Sequence, residues 1–68
     1  MSSIYKVIEI IGSSDKSWED AAKKGVETAA KTLEDLRVAE VKELDMRIEN
    51  GKVVEYRAKM RVSFKYKG

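Results

Sequence analysis

Over residues 53–67 the apolar side chains fall on even positions: Val54, Tyr56, Ala58, Met60, Val62, Phe64 and Tyr66. The odd positions from Glu55 on are polar or charged: Glu55, Arg57, Lys59, Arg61, Ser63, Lys65 and Lys67. A period of two predicts a β-strand with one dry and one wet face. The run is about twice the usual strand length. The other elements are therefore expected to cover its dry face.

Residues 4–11 (Ile-Tyr-Lys-Val-Ile-Glu-Ile-Ile) are rich in β-branched side chains, and Gly12-Ser13-Ser14-Asp15 follows as a turn signal. This predicts a first strand whose blurred alternation fits burial on both faces. A helix comes next. Trp18, Ala21, Ala22, Gly25, Val26, Ala29, Ala30, Leu33 and Leu36 recur at i, i+3, i+4 spacing, enough for five turns. Ser14 or Ser17 can cap it, and Glu19 and Asp20 suit its N-terminal dipole. Gly25 costs about 1 kcal/mol against Ala in a helix, so close backbone approach is its expected use.

A second strand is predicted over residues 37–49. Its apolar phase slips from Ala39 and Val41 to Leu44, Met46 and Ile48, which places a β-bulge between Lys42 and Glu43. The turn is Glu49-Asn50-Gly51-Lys52. Asn-Gly fits a two-residue type I′ loop. That loop would set apolar Met46 against Glu55, so a three-residue loop with Gly51 left-handed is preferred. It sets Met46 opposite Val54, Leu44 opposite Tyr56, Val41 opposite Ala58 and Ala39 opposite Met60. On the wet face it pairs Asp45 with Glu55, Glu40 with Lys59 and Glu43 with Arg57. The fold class is α+β: a β-α-β-β protomer, with a three-stranded antiparallel sheet wrapped around one helix.

Composition narrows the function. A 68-residue chain makes one small domain, residues 1–68, that is marginal alone. It has no cysteine and no histidine, which excludes disulfides and Cys/His zinc sites. Oligomerisation is then the expected staple. The net charge of +2, from 14 basic and 12 acidic residues, gives little support to nucleic-acid binding. No apolar run approaches the ~20 residues that span a membrane. The first residues lack a signal-peptide layout, so a cytoplasmic protein is expected.

No nucleophile–base pair, phosphate loop or metal-ligand spacing is present, so enzyme activity is not expected. Arg57, Lys59, Arg61, Lys65 and Lys67 form a basic row on the wet face. It is an anion or nucleic-acid site, or a strand face balanced by Glu40, Glu43 and Asp45. A single-stranded nucleic-acid surface also wants exposed aromatics, and Tyr56, Phe64 and Tyr66 lie on the buried phase. Asp45 and Glu55, with Glu43 nearby, bring like charges together. Arg57 and Arg47 can separate them; a hard cation such as Ca²⁺ also takes such oxygens. Trp18 is expected to be a packing anchor in the core or at a subunit contact.

The order of these segments resembles the dodecins. The resemblance rests on residues 5–14 (Tyr-Lys-Val-Ile-Glu-Ile-Ile-Gly-Ser-Ser), the Ala-rich helix, Val38-Ala39-Glu40-Val41 and residues 56–65. It implies a hollow homododecamer that binds flavins (riboflavin or FMN) in pairs, stacked on a tryptophan at the start of the second strand. Such proteins store or buffer flavin and do not catalyse. The flavin-pocket positions fall here on Val38, Asp45, Arg57 and Lys65. Val38 stands where the stacking tryptophan would be. Arg57 stands for a glutamine that bonds the flavin ring, and Asp45 for an arginine. Lys65 keeps a basic residue that can meet a flavin phosphate. The two changes put an Asp45–Arg57 pair in the flavin slot, so weakened or lost flavin binding is expected. A tryptophan-lacking branch, the calcium dodecins, is the most similar. Asp45, Glu43 and Glu55 are the metal-ligand candidates, from the register alone.

Overall fold

A computed structural model describes residues 4–66. The elements run β1 (Tyr5–Ser14), α1 (Trp18–Ala29), β2 (Leu36–Glu49) and β3 (Lys52–Lys65). The sheet is antiparallel with order β1-β3-β2, so the long alternating strand is the central one. Of the predicted end of that strand, Lys67 lies outside the described residues.

β1 runs three residues past its predicted end, into the predicted turn. Gly12, Ser13 and Ser14 pair with Ala58, Arg57 and Tyr56 of β3. Turn propensity at a Gly-Ser-Ser run is weak against a partner strand that offers a continuous ladder. The chain turns only after Ser14, whose hydroxyl accepts from the Lys16 N–H at 2.9 Å and donates to Asp20 at 2.6 Å. Ser17 then caps α1, accepting from the Asp20 N–H at 2.9 Å. Within the protomer β1 is not buried on both faces. Ile8 and Ile10 pack on the core, whereas Tyr5, Val7 and Ile11 are exposed on the opposite side.

The helix is shorter than its apolar stripe predicts. It spans 12 residues and ends at Ala29. Lys31 and Thr32 donate back only three residues, to Thr28 and Ala29, each at 3.2 Å. This tightens the last turn and stops the ladder. Asp35, with φ of 56°, then reverses the chain into β2. Leu36 belongs to β2 opposite Phe64, yet still packs on the core, which is why the stripe runs on past the helix.

The β2–β3 hairpin corrects the predicted register. Asn50 and Gly51 both have positive φ, 51° and 76°, and Glu49 pairs with Lys52, so the loop has two residues. The phase is repaired one step further on. A register shift between Arg47 and Ile48 leaves Val54 without an opposite partner, so Met46 faces Tyr56 and Leu44 faces Ala58. The predicted bulge is present between Val41 and Glu43. Beyond it Val41 meets Met60 and Ala39 meets Val62. The predicted register was wrong by two residues at Met46, so every side chain keeps its predicted face while its partner changes.

The core is Ala21, Ala58, Met60 and Val62, with Ile8, Ile10, Ala22, Val26 and Leu36 packed against it. α1 lies on β1 and β3 and barely reaches β2. Val41, Leu44, Met46 and Ile48 of β2 therefore stay exposed on the helix-side face.

The helix approaches the sheet at two glycines. A Cβ on Gly12 would fall on the Ala21 carbonyl oxygen, with the Gly25 Cα at 3.2 Å. A Cβ on Gly25 would meet the Met60 methyl at 2.8 Å and the Gly12 Cα at 3.1 Å. Gly12 opposes backbone that cannot move aside; the atom closest to Gly25 is the end of a flexible side chain, with the Gly12 backbone a milder, tight contact. Gly12→Ala should cost on the order of 3 kcal/mol. In Gly25→Ala the strain is partly offset by the ~1 kcal/mol gain in helix propensity. Urea denaturation at one protein concentration checks the order: a Gly25→Ala midpoint below that of Gly12→Ala contradicts this packing.

Candidate functional site

The wet face of the sheet carries the candidate residues in rows across the three strands. From the turn end they are Ser13–Arg57–Asp45, Ile11–Lys59–Glu43, Glu9–Arg61–Glu40 and Val7–Ser63–Val38. Each row has its cation or hydroxyl on the central β3. In the first three rows carboxylates sit on the flanking strands and read as cross-strand ion pairs, whereas the fourth has valines on both sides of Ser63.

The best-formed pair is Asp45–Arg57. The guanidinium donates twice, Nε to Oδ1 at 2.6 Å and an Nη to Oδ2 at 2.8 Å. This bidentate, charge-assisted geometry fixes both side chains. Hydrogen bonds from Arg57 hold the Asp45 carboxyl below the usual carboxylate range, and Asp45 raises the Arg57 guanidinium in turn. Asp45 is also held through its backbone. The Trp18 indole N–H donates to its carbonyl at 3.0 Å, and the Trp18 ring meets Tyr56 edge-on at 5.3 Å. Trp18 is thus the anchor the sequence predicts, and it ties the start of α1 to β2. Sequence reasoning missed its link to Asp45, because the acceptor is a backbone carbonyl, which no side-chain pattern marks.

The metal-ligand candidates do not converge. Asp45 faces Arg57 rather than Glu55, Glu43 lies 3.5 Å from Lys59, and Glu55 accepts from Arg47 at 3.3 Å. Arg47 also bonds Glu49. The predicted pairs Glu40–Lys59 and Glu43–Arg57 likewise become Glu40–Arg61 and Glu43–Lys59. Among the described residues no three acidic groups gather in a way that would hold a metal ion within one protomer.

Val38 is 63% exposed opposite Ser63, whose hydroxyl donates to the Val38 carbonyl at 3.4 Å. Lys65 lies one row further, opposite Tyr5, with its N–H on the Asp35 carbonyl at 3.2 Å. The four positions that the resemblance assigns to a flavin pocket therefore share one face but are split, Asp45 with Arg57 at one end and Val38 with Lys65 at the other. The basic row is largely balanced: Arg57, Lys59 and Arg61 lie 2.6, 3.5 and 4.0 Å from Asp45, Glu43 and Glu9. Tyr66, predicted on the buried phase, is exposed, with the Lys6 ammonium 5.1 Å from its ring centre. No helix among the described residues is long and apolar enough to cross a membrane.

Known proteins share this arrangement. The dodecin of Streptomyces davaonensis superposes with a TM-score of 0.93 over all of both chains, at 26% identity. The dodecin of Thermus thermophilus is 35% identical over 65 residues, 96% of this chain and 94% of that protein. The calcium dodecin of Mycobacterium tuberculosis is 49% identical over 63 residues, 93% of this chain and 89% of that protein. Its crystal structure, described as having a calcium-binding site, superposes with a TM-score of 0.85 over 96% of this chain and 93% of that one. The dodecin family model matches residues 4–67. With the β-α-β-β order, the sheet order and nearly the whole length in agreement, the chain belongs to the dodecin family.

Proposed function

We propose that this chain forms a hollow dodecameric shell that holds a small ligand or ion without catalysing a reaction, and that it has given up flavin stacking. The observation that carries this reading is the locked Asp45–Arg57 pair. A flavin ring needs a flat aromatic partner and a free hydrogen-bonding edge. Position 38 offers a β-branched side chain, and base-like stacking of the kind lost there is worth about 1–3 kcal/mol per ring. Position 57 offers a guanidinium whose donors already point at a carboxylate. A ligand that displaced it would have to break two charge-assisted bonds.

Calcium is the ion this reading names. Its support is the similarity to the calcium dodecin and the set of exposed carboxylates on the wet face. Glu43 is 68% exposed, with Lys59 at 3.5 Å, and Glu9 lies 4.0 Å from Arg61. Pairs this long and exposed are worth little. Ca²⁺ takes six to eight oxygens, and the carboxylates of one protomer do not fit that demand. A calcium site in this shell would draw on carboxylates from more than one copy or complete its shell with carbonyls and water, with Glu43 better placed to contribute than the occupied Asp45 or Glu55.

Thermal melting in parallel buffers tests the reading. Ca²⁺ should raise the midpoint as its concentration rises, EDTA should reverse this, and Glu43→Gln should weaken the response. Riboflavin should leave both the midpoint and its own fluorescence unchanged. Val38→Trp combined with Arg57→Gln and Asp45→Arg should gain quenching. Strong quenching by the unmodified protein, or a midpoint indifferent to Ca²⁺, contradicts the respective half of the proposal.

Acid titration tests the lock itself. The folded-state pKa of Asp45 is depressed below its ordinary value of 3.8. Its pair therefore contributes stability above that value, and the contribution is lost as pH falls through the folded pKa. The stability gap between wild type and Asp45→Asn should be constant from pH 7 to 5 and shrink below pH 4. A gap that does not change with acid means the pair adds nothing.

A further inference from the structure

We infer that Trp18 is a positioning residue for the charged face of the sheet. Its indole N–H holds the Asp45 backbone, which keeps the Asp45 carboxylate on Arg57 and so closes that face to an aromatic ligand. This role presupposes the lock proposed above and names what sets it.

The pair does not align itself. Both side chains are 37% exposed, so water competes for every donor and acceptor. Ion pairs at such exposure contribute little unless their geometry is ideal, and both side chains lose rotamer freedom to reach it. Arg61 and Glu9 have the same chemistry on the same face, and they stand 4.0 Å apart, beyond hydrogen-bond reach. Asp45–Arg57 is instead bidentate, at 2.6 and 2.8 Å. Supporting bonds that fix a side chain's backbone produce that difference.

The strand that carries Asp45 is the one that most needs placing. β2 is an edge strand, and α1 barely reaches it. Its ladder with β3 is interrupted on both sides of Asp45, by the bulge between Val41 and Glu43 and by the shift between Arg47 and Ile48. Bulges bend a strand and increase its twist. Asp45 is the middle residue of the stretch that stays in register between them, Glu43 to Arg47. The indole N–H reaches the carbonyl of that middle residue, at 3.0 Å.

Trp18 is itself firmly placed. It opens α1 directly after the Ser17 cap. Its ring meets Tyr56 edge-on at 5.3 Å, and Tyr56 precedes Arg57 on β3. One side chain thus contacts both Asp45 and the residue next to Arg57, which sets the relative position of the two strands at the pair. Packing alone does not require the nitrogen. Trp18 shares an apolar cleft with Ala22, Val41 and Leu44, which any large apolar ring would line. The N–H is the part with a directional partner.

Trp18 is the only tryptophan of the chain, so expression with β-(3-benzothienyl)alanine in place of tryptophan alters this one side chain. The analogue keeps the fused aromatic ring and puts sulfur where the N–H was. Thermal midpoints are compared at one protein concentration with and without the analogue, each with Asp45 or with Asp45→Asn. Asparagine keeps the backbone carbonyl and loses the carboxylate. Asp45→Asn should cost less than half as many degrees in the analogue protein as in the native one, because the N–H acts through the pair. Riboflavin supplies a second readout. Val38→Trp, which returns a stacking ring, should bind it at least tenfold more tightly when combined with Trp18→Phe than alone. Midpoint losses that add, or equal riboflavin affinities for those two variants, reduce Trp18 to a packing residue and leave the Asp45–Arg57 reading standing. Strong riboflavin quenching by the unmodified protein overturns that reading and the role of Trp18 with it.

Discussion

An α-helix is about 10–12 Å across with its side chains, and strands in a sheet lie about 4.8 Å apart. One helix therefore covers two strands well and a third poorly. In this chain Gly12 and Gly25 decide which two. Their contact draws α1 down onto β1 and β3, where Ala21, Ala58, Met60 and Val62 close into a core. β2 is left with Val41, Leu44, Met46 and Ile48 open. The small residues that make the core tight also make it narrow. An uncovered apolar strand is the consequence, and no other element among the described residues lies on it.

The opposite face obeys a different constraint. From Arg57 to Arg61 its central strand presents a cation every second residue, and its neighbours answer with carboxylates. Most of these pairs are long and exposed, and hold little energy. Asp45–Arg57 differs in kind, because both guanidinium donors reach both carboxylate oxygens while Trp18 holds the Asp45 backbone. The indole thus links helix packing to the charged face. The resemblance assigns Asp45, Arg57 and Val38 to a flavin pocket on that face; the structure shows the first two bonded to each other and the third exposed.

Much of this was legible in the sequence, for a specific reason. Side-chain direction along a strand depends on parity, and parity survives an error of two residues. The even positions of β3 and the slip at Lys42 therefore gave the right faces and the right bulge. Partners depend on absolute register, which Val54 changes by slipping out of the ladder next to the Asn50–Gly51 turn. No apolar pattern marks that slip, because Val53 and Val54 are both valine. The Asp45–Glu55 pairing that suggested the metal candidates changed with the register. The Asp45–Arg57 pair had come from the family resemblance and met the geometry. The helix end was hidden for a related reason: Leu36 packs on the same core from β2, so the stripe continued where the helix did not.

The central claim is that further copies cover the open face of β2. Light scattering of the purified protein across low micromolar concentrations tests it most directly. The expected result is a discrete assembly near twelve times the 7.7 kDa protomer mass, reduced to small species by Leu44→Asp. A folded monomer at those concentrations, or an assembly indifferent to that charge, would contradict it.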